Sequence, residues 1–190
     1  MPREVDSAQR LTDIAAATIA VARASGAHAV TIRSVARQLG GSTTLVTNYL
    51  PSRAALVLNA LDQGRDRWEA ERTDALAQAE PRDRLHALVD WSLSSTSDDP
   101  VLRTLILEIV ANAGFEPGMA AALQRESTQF IELLAATARE AGFEDPDAVA
   151  DVTYLLVRGA YIASTEDPGR WTDQHLRRVI LGAIEAHPRS

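Results

Sequence analysis

Residues 31–56, TIRSVARQLGGSTTLVTNYLPSRAAL, restrict the fold of this chain more than any other stretch. Thr31 stands at an N-cap position, and Ile32, Val35, Ala36 and Leu39 follow at i, i+3, i+4 and i+7, one apolar helical stripe. Gly40 and Gly41 end that helix, because glycine enters the left-handed region without a Cβ penalty. Ser42 is placed to cap a second helix that buries Leu45, Val46 and Leu50 and turns Thr43, Thr44, Thr47 and Asn48 outward. Pro51 disfavours helix at Leu50, so the second helix must stop there. A helix, a short glycine turn, and a helix with an apolar back and a polar, nearly uncharged front are what a helix-turn-helix DNA reader requires.

The remaining sequence predicts an all-α fold of about nine helices. Alanine and leucine dominate, and no β-branched alternation of the strand kind occurs. The first helix spans about Ser7–Ser25 and ends at Gly26; the two short helices follow, and Ser52 caps a long helix reaching about Ala79. Later helices start at Glu80-Pro81, Asp99-Pro100, Pro117, Asp145-Pro146 and Thr172. Val101, Leu102, Leu105, Ile106, Ile109 and Val110 cover so wide an arc that their helix should be central to a C-terminal bundle. Three helices in a small N-terminal unit and six in a bundle give two expected domains, 1–56 for DNA binding, with the helix-turn-helix at about 31–50, and 57–190 for effector binding and dimerisation.

Charge sharpens this division. The chain carries a net −7, which disfavours a nucleic-acid binder until it is split. Residues 1–56 hold six arginines against Glu4, Asp6 and Asp13, a net +3, while the other 134 residues hold 13 arginines against 23 acids, a net −10. A basic contact surface on an acidic body is the implied arrangement. All 19 basic residues are arginine, which a GC-rich genome explains better than function does. The absence of cysteine removes disulfides and thiolate metal sites. No run of about 18 apolar residues offers a membrane span, and MPREVDSAQR lacks the apolar core of a signal peptide, so a cytoplasmic location is expected.

The first 56 residues resemble the N-terminal domain of the TetR family of bacterial transcriptional regulators. The resemblance rests on Arg10, Ile14–Ala17, Gly26, Thr31-Ile32, Val35-Ala36, Gly40-Gly41-Ser42, and Leu50-Pro51-Ser52-Arg53 with Leu56. Three departures stand out. Gly41 replaces the usual valine or isoleucine, which should loosen the packing of the two short helices. Thr47 stands where many members carry a DNA-touching tyrosine, and Tyr49 where many carry histidine. The Asn48-Tyr49-Leu50 ending resembles the choline-responsive betaine-pathway repressors, with His-Tyr-Phe there. The resemblance implies a ligand-responsive repressor acting as a homodimer on a near-palindromic operator. Its partners would be double-stranded operator DNA, a small-molecule effector and a second copy, with no cofactor and no membrane.

Within that reading, Arg33 reaches a base edge or a phosphate, the alternative being a solvated side chain. Thr43, Thr44 and Thr47 offer hydroxyls and methyls to base edges, the methyls suiting thymine. Three threonines so close together oppose helix propensity and so are poor filler. Thr31, Ser34, Ser42, Asn48, Tyr49 and Arg53 are candidate backbone grips, with packing the rival role for Tyr49. In the bundle, Trp68, Trp91, Phe115, Phe130 and Tyr154 are candidates for an effector pocket, against the plainer role of core. Glu108 and Asn112 either line that pocket or face water, and Arg158 belongs to pocket or interface. Gly159 and Ala163, with Leu176, Val179, Ala183 and Ala186, are the candidate dimer face, as the family's last two helices imply. His28, His86, His175 and His187 lack metal-ligand spacing, and no catalytic constellation is defensible, so no enzyme is expected. The rival reading is an all-helical small-molecule-binding or scaffold protein that has lost operator reading.

Overall fold

A computed structural model describes residues 7–97, 100–112, 114–115 and 117–189. Asp99, expected to cap a helix, lies outside these residues, as do Arg3, Glu4 and Asp6 of the N-terminal charge balance and the side chain of Leu102. Among the described residues the chain forms nine α-helices and two 3-10 turns, an all-α fold as expected. The helices are α1 (Ser7–Ser25), α2 (Ile32–Gln38), α3 (Thr43–Thr47), α4 (Arg53–Gln78), α5 (Arg84–Ser97), α6 (Pro100–Asn112), α7 (Pro117–Glu140), α8 (Pro146–Glu166) and α9 (Asp173–Ile184). The 3-10 turns are Ala27–Ala29 and Pro81–Asp83, the second delaying α5 past the expected proline start. No helix among them is long and apolar enough to cross a membrane.

The chain divides into two compact units, one drawn from Met1–Arg67 and Pro100–Gln124, the other from Trp68–Asp99 and Arg125–Ser190. In the first, Ile14, Val21, Val30, Val35, Val46 and Leu56 form a buried core. Leu105 and Ile109 of α6 and Met119 of α7 join it. This departs from the central bundle position expected for α6, whose apolar arc instead packs on α1 and the 27–29 turn.

Caps fix the local geometry of this unit. Thr31 Oγ1 accepts the Ser34 N–H at 3.0 Å while Ser34 Oγ accepts the Thr31 N–H at 2.9 Å, a reciprocal capping box that starts α2. At the other end Gly40 has φ +68°, and its N–H and that of Gly41 reach the carbonyls of Arg37 and Ala36, each at 3.0 Å. Ser42 occupies the N-cap of α3 with an extended backbone, but its hydroxyl makes no capping bond, against expectation. Gly41, expected to loosen the packing of α2 and α3, lies against Leu45 of α3. Leu45 covers the glycine, so that a Cβ there would stand 3.3 Å from Leu45 Cδ1.

Gly26 closes α1 at φ +83°, and a Cβ added to it would meet His28 Nδ1 at 2.9 Å. With ψ 161° this is a conformation essentially only glycine adopts, so Gly26→Ala is expected to cost about 1–3 kcal/mol from the backbone alone. For a chain of this size that lowers Tm by about 2–4 °C per kcal/mol, read by thermal unfolding in circular dichroism. An unchanged Tm would show that the turn relaxes to accommodate a side chain.

The second unit is built around Leu85, Leu88, Leu134, Val149, Val157 and Ile180, contributed by α5, α7, α8 and α9. Asp145 caps α8 by accepting the Ala148 N–H at 3.0 Å, with Pro146 in the first turn, and Thr172 caps α9. Arg177 on α9 pairs in bidentate fashion with Asp90 on α5, and the carboxylate's hydrogen bond and charge raise the guanidinium further above its ordinary pKa. Both partners are substantially exposed, so the pair aligns the helices more than it stabilises them.

Candidate nucleic-acid interface and bundle sites

The first unit presents a surface with one chemical character. Between Asp13 and Asp62 the sequence contains no carboxylate side chain. On the outer side of α2, Arg33 and Arg37 are exposed at i and i+4, and neither makes an ion pair or side-chain hydrogen bond among the described residues. On α3, Val46 is fully buried and Leu45 packs partly on the core, which turns Thr43, Thr44, Thr47 and Asn48 to solvent as the sequence indicated. Among the described residues the only side-chain bond on that face is a long one, Thr47 Oγ1 donating to the Thr44 carbonyl at 3.5 Å. Ser42, at the start of α3, keeps its hydroxyl uncommitted. Uncharged donors and acceptors flanked by two unpaired guanidinium groups can meet base edges and phosphates without internal competition.

Other candidates are spent within the fold. The Thr31 and Ser34 hydroxyls are held in the capping box, and Ser34 Oγ also donates to the Ala29 carbonyl at 2.8 Å. Tyr49 packs partly buried against the core. Arg53 turns inward, its Nε donating to the Val30 carbonyl at 2.9 Å and its Nη2 to the Ala27 carbonyl at 3.0 Å. The same Nη2 pairs with Glu108 Oε1 at 2.6 Å. Arg37 was missed in the sequence, although its i+4 spacing from Arg33 on the polar side of α2 carried the signal.

The effector candidates fall into separate groups. Glu108 accepts an Asn112 amide N–H at 2.7 Å and pairs with Arg53, and all three lie within the first unit. Phe115 also belongs to that unit and is 85% exposed, in the turn after α6. In the second unit, Phe130 and Tyr154 lie 6.2 Å apart by ring centroid, and Ser127 Oγ donates to Tyr154 Oη at 2.7 Å. Arg158 stacks over Tyr154 at 5.2 Å and over Tyr161 at 6.0 Å, with no carboxylate paired to it among the described residues. Trp91 carries Arg72 over its ring at 5.8 Å, and its buried indole N–H has no hydrogen-bond partner among the described residues. Trp68 is half-buried in α4 of the same unit.

Exposed apolar residues lie on α8 and α9 beside exposed charged ones, Asp151 on α8 and Arg177 and Arg178 on α9. Leu155, Ile162 and Val179 are 67%, 51% and 40% exposed, and Gly159 and Ala186 are exposed with them. Ala163 and Ala183 are half-buried, whereas Leu176 is taken up by the unit's own core. Leu155 and Ile162 were not singled out in the sequence. They sit at i and i+7, bracketing Gly159, outside the stripe of Val149, Val152, Leu156 and Ala160 that covers the core.

Residues 81–188 match the family model described as BetI-type transcriptional repressor, C-terminal. A search of curated proteins finds no match. Among solved structures, a TetR transcription regulator from Haloarcula marismortui superposes with a TM-score of 0.83 at 20% identity, covering 95% of this chain and 98% of that one. A transcriptional regulator from Saccharomonospora viridis, in complex with choline, gives a TM-score of 0.82 at 20% identity, covering 96% and 100%. A regulator from Rhodococcus gives 0.79 at 19% identity, covering 93% and 97%. Likeness at these identities concerns the fold, and the family follows from the matched C-terminal model. The chain belongs to the TetR family of transcriptional regulators, with a BetI-type repressor C-terminal domain.

Proposed function

We propose that this regulator is a repressor that binds a near-palindromic operator as a homodimer and releases it when a small molecule enters the bundle. Residues 1–56 are the reader, and 57–190 bind the effector and pair the subunits. Each α3 lies in a major groove, the two about one helical turn apart. The observation that carries this reading is the exposed, uncharged face of α3 beside the unpaired Arg33 and Arg37. Leu45 filling the space over Gly41 counts against a reader that has lost its packing.

The effector site rests on the cluster of Ser127, Phe130, Tyr154 and Arg158. Choline in the Saccharomonospora relative makes it the first compound to test. Here, however, Arg158 already covers the tyrosine faces that a quaternary ammonium would use, and its unpaired charge favours a ligand bearing a carboxylate. A ligand acts only through preferring the released state, so its effect is read on operator affinity as well as on stability.

Selection of binding sites from random DNA with the purified chain tests the operator. A palindrome should be enriched, and log affinity should fall linearly with log salt at about −0.9 per phosphate neutralised. Recovery of unrelated sequences with no common symmetric site would overturn the reading.

A further inference from the structure

We propose that Arg53 is an internal clasp that sets the pose of the reading helices, not a phosphate contact. Its partner Glu108 on α6 thereby becomes a positioning residue for operator binding. The inference rests on the regulator reading above only for its DNA arm. Arg53 opens α4, the helix that follows α3, yet its guanidinium is committed within the unit to three acceptors. These are the Val30 carbonyl at 2.9 Å, the Ala27 carbonyl at 3.0 Å and the Glu108 carboxylate at 2.6 Å. The two carbonyls bracket the 27–29 turn, and Val30 immediately precedes the Thr31 cap that starts α2. One side chain therefore ties together the start of α4, the turn that aims α2, and α6.

A planar guanidinium can hold three acceptors at once because its donors diverge in a fixed fork. An ammonium presents a single charged nitrogen and cannot span the same set. Glu108 is itself steadied by Asn112, which donates to Oε1 at 2.7 Å and to the Glu108 carbonyl at 2.8 Å. With side chains only 25% and 20% exposed, the ion pair is shielded from the screening that weakens surface pairs. The sequence position of Arg53 suits a phosphate contact, for which lysine and arginine are equivalent; the clasp makes them inequivalent.

The full-length chain carrying Arg53→Lys, Glu108→Gln, or both separates the two roles. The clasp predicts that each single change weakens operator binding about tenfold. It also predicts that the double variant is no worse than the weaker single, and that the salt slope stays at the wild-type value. A phosphate contact predicts near-normal binding for Arg53→Lys, no effect of Glu108→Gln, and a slope reduced by about 0.9 per subunit for Arg53→Ala; that result would overturn the proposal. A second measurement needs no DNA. Urea unfolding of Arg53→Ala, Glu108→Ala and the double variant should show non-additive losses, and strictly additive ones would remove the clasp whether or not an operator is found. Failure of the wild type to select any operator, beside a coupled unfolding cycle, would strike the regulator reading and leave the clasp standing.

Discussion

Glutamate at both Leu155 and Ile162 is expected to give a folded monomer whose operator affinity has fallen by about 10²–10⁴. Both side chains are more exposed than covered, so the isolated subunit loses little by the change, and glutamate is a good helix former. The proposed dimer would lose much more, because the two substitutions would put four carboxylates into its interface. Without a tethered second reader, capture of the second half-site no longer occurs at the high effective concentration that a dimer supplies. Sedimentation equilibrium and operator titration on the same preparation decide the matter. A variant that remains dimeric would move the interface off this face, and a monomer with full affinity would remove the need for one.

That face illustrates what the sequence could and could not convey. The small residues Gly159 and Ala163 were visible as a helix-approach pattern, but Leu155 and Ile162 looked like ordinary helix positions. Only the core contacts of Val149, Val157 and Ala160 show which side of α8 is occupied and which is left over. Leu176 erred in the other direction, since amphipathic spacing marks a residue as apolar without saying whether its own core or a partner will take it.

Signals confined to one turn of chain were read correctly for a physical reason. The Thr31 cap, the positive-φ Gly26 and Gly40, and the Asp145-Pro146 start each depend on neighbours within a few residues. Arg53 depends on carbonyls 23 and 26 positions away and on a glutamate in another helix, so its local context pointed outward while its partners pull it in. The placement of α6 was illegible for the same reason. Its broad apolar arc states that it will be buried, and only long-range packing states against which elements.

The reading surface yields the other large effect, because in the proposed homodimer two-fold symmetry would apply every substitution twice. Arg33→Ala removes an exposed guanidinium that no side chain among the described residues engages, and Thr44→Ala removes a hydroxyl and a methyl from the outward face of α3. A well-placed base contact is worth about 1–3 kcal/mol of discrimination. A dimer losing one in each subunit should therefore lose about 2–6 kcal/mol against its selected operator. Affinity for unrelated DNA should drop far less for Thr44→Ala, since a hydroxyl carries no charge to neutralise phosphate. Arg33→Ala acts on both kinds of DNA if it grips phosphate, and on the operator alone if it reads a base, so titration against operator and scrambled duplexes at two salt concentrations assigns it. Neither change touches the core, and helicity and dimerisation should match the wild type. Unaltered operator affinity in both variants would place the reading surface elsewhere, however well the fold agrees with its relatives.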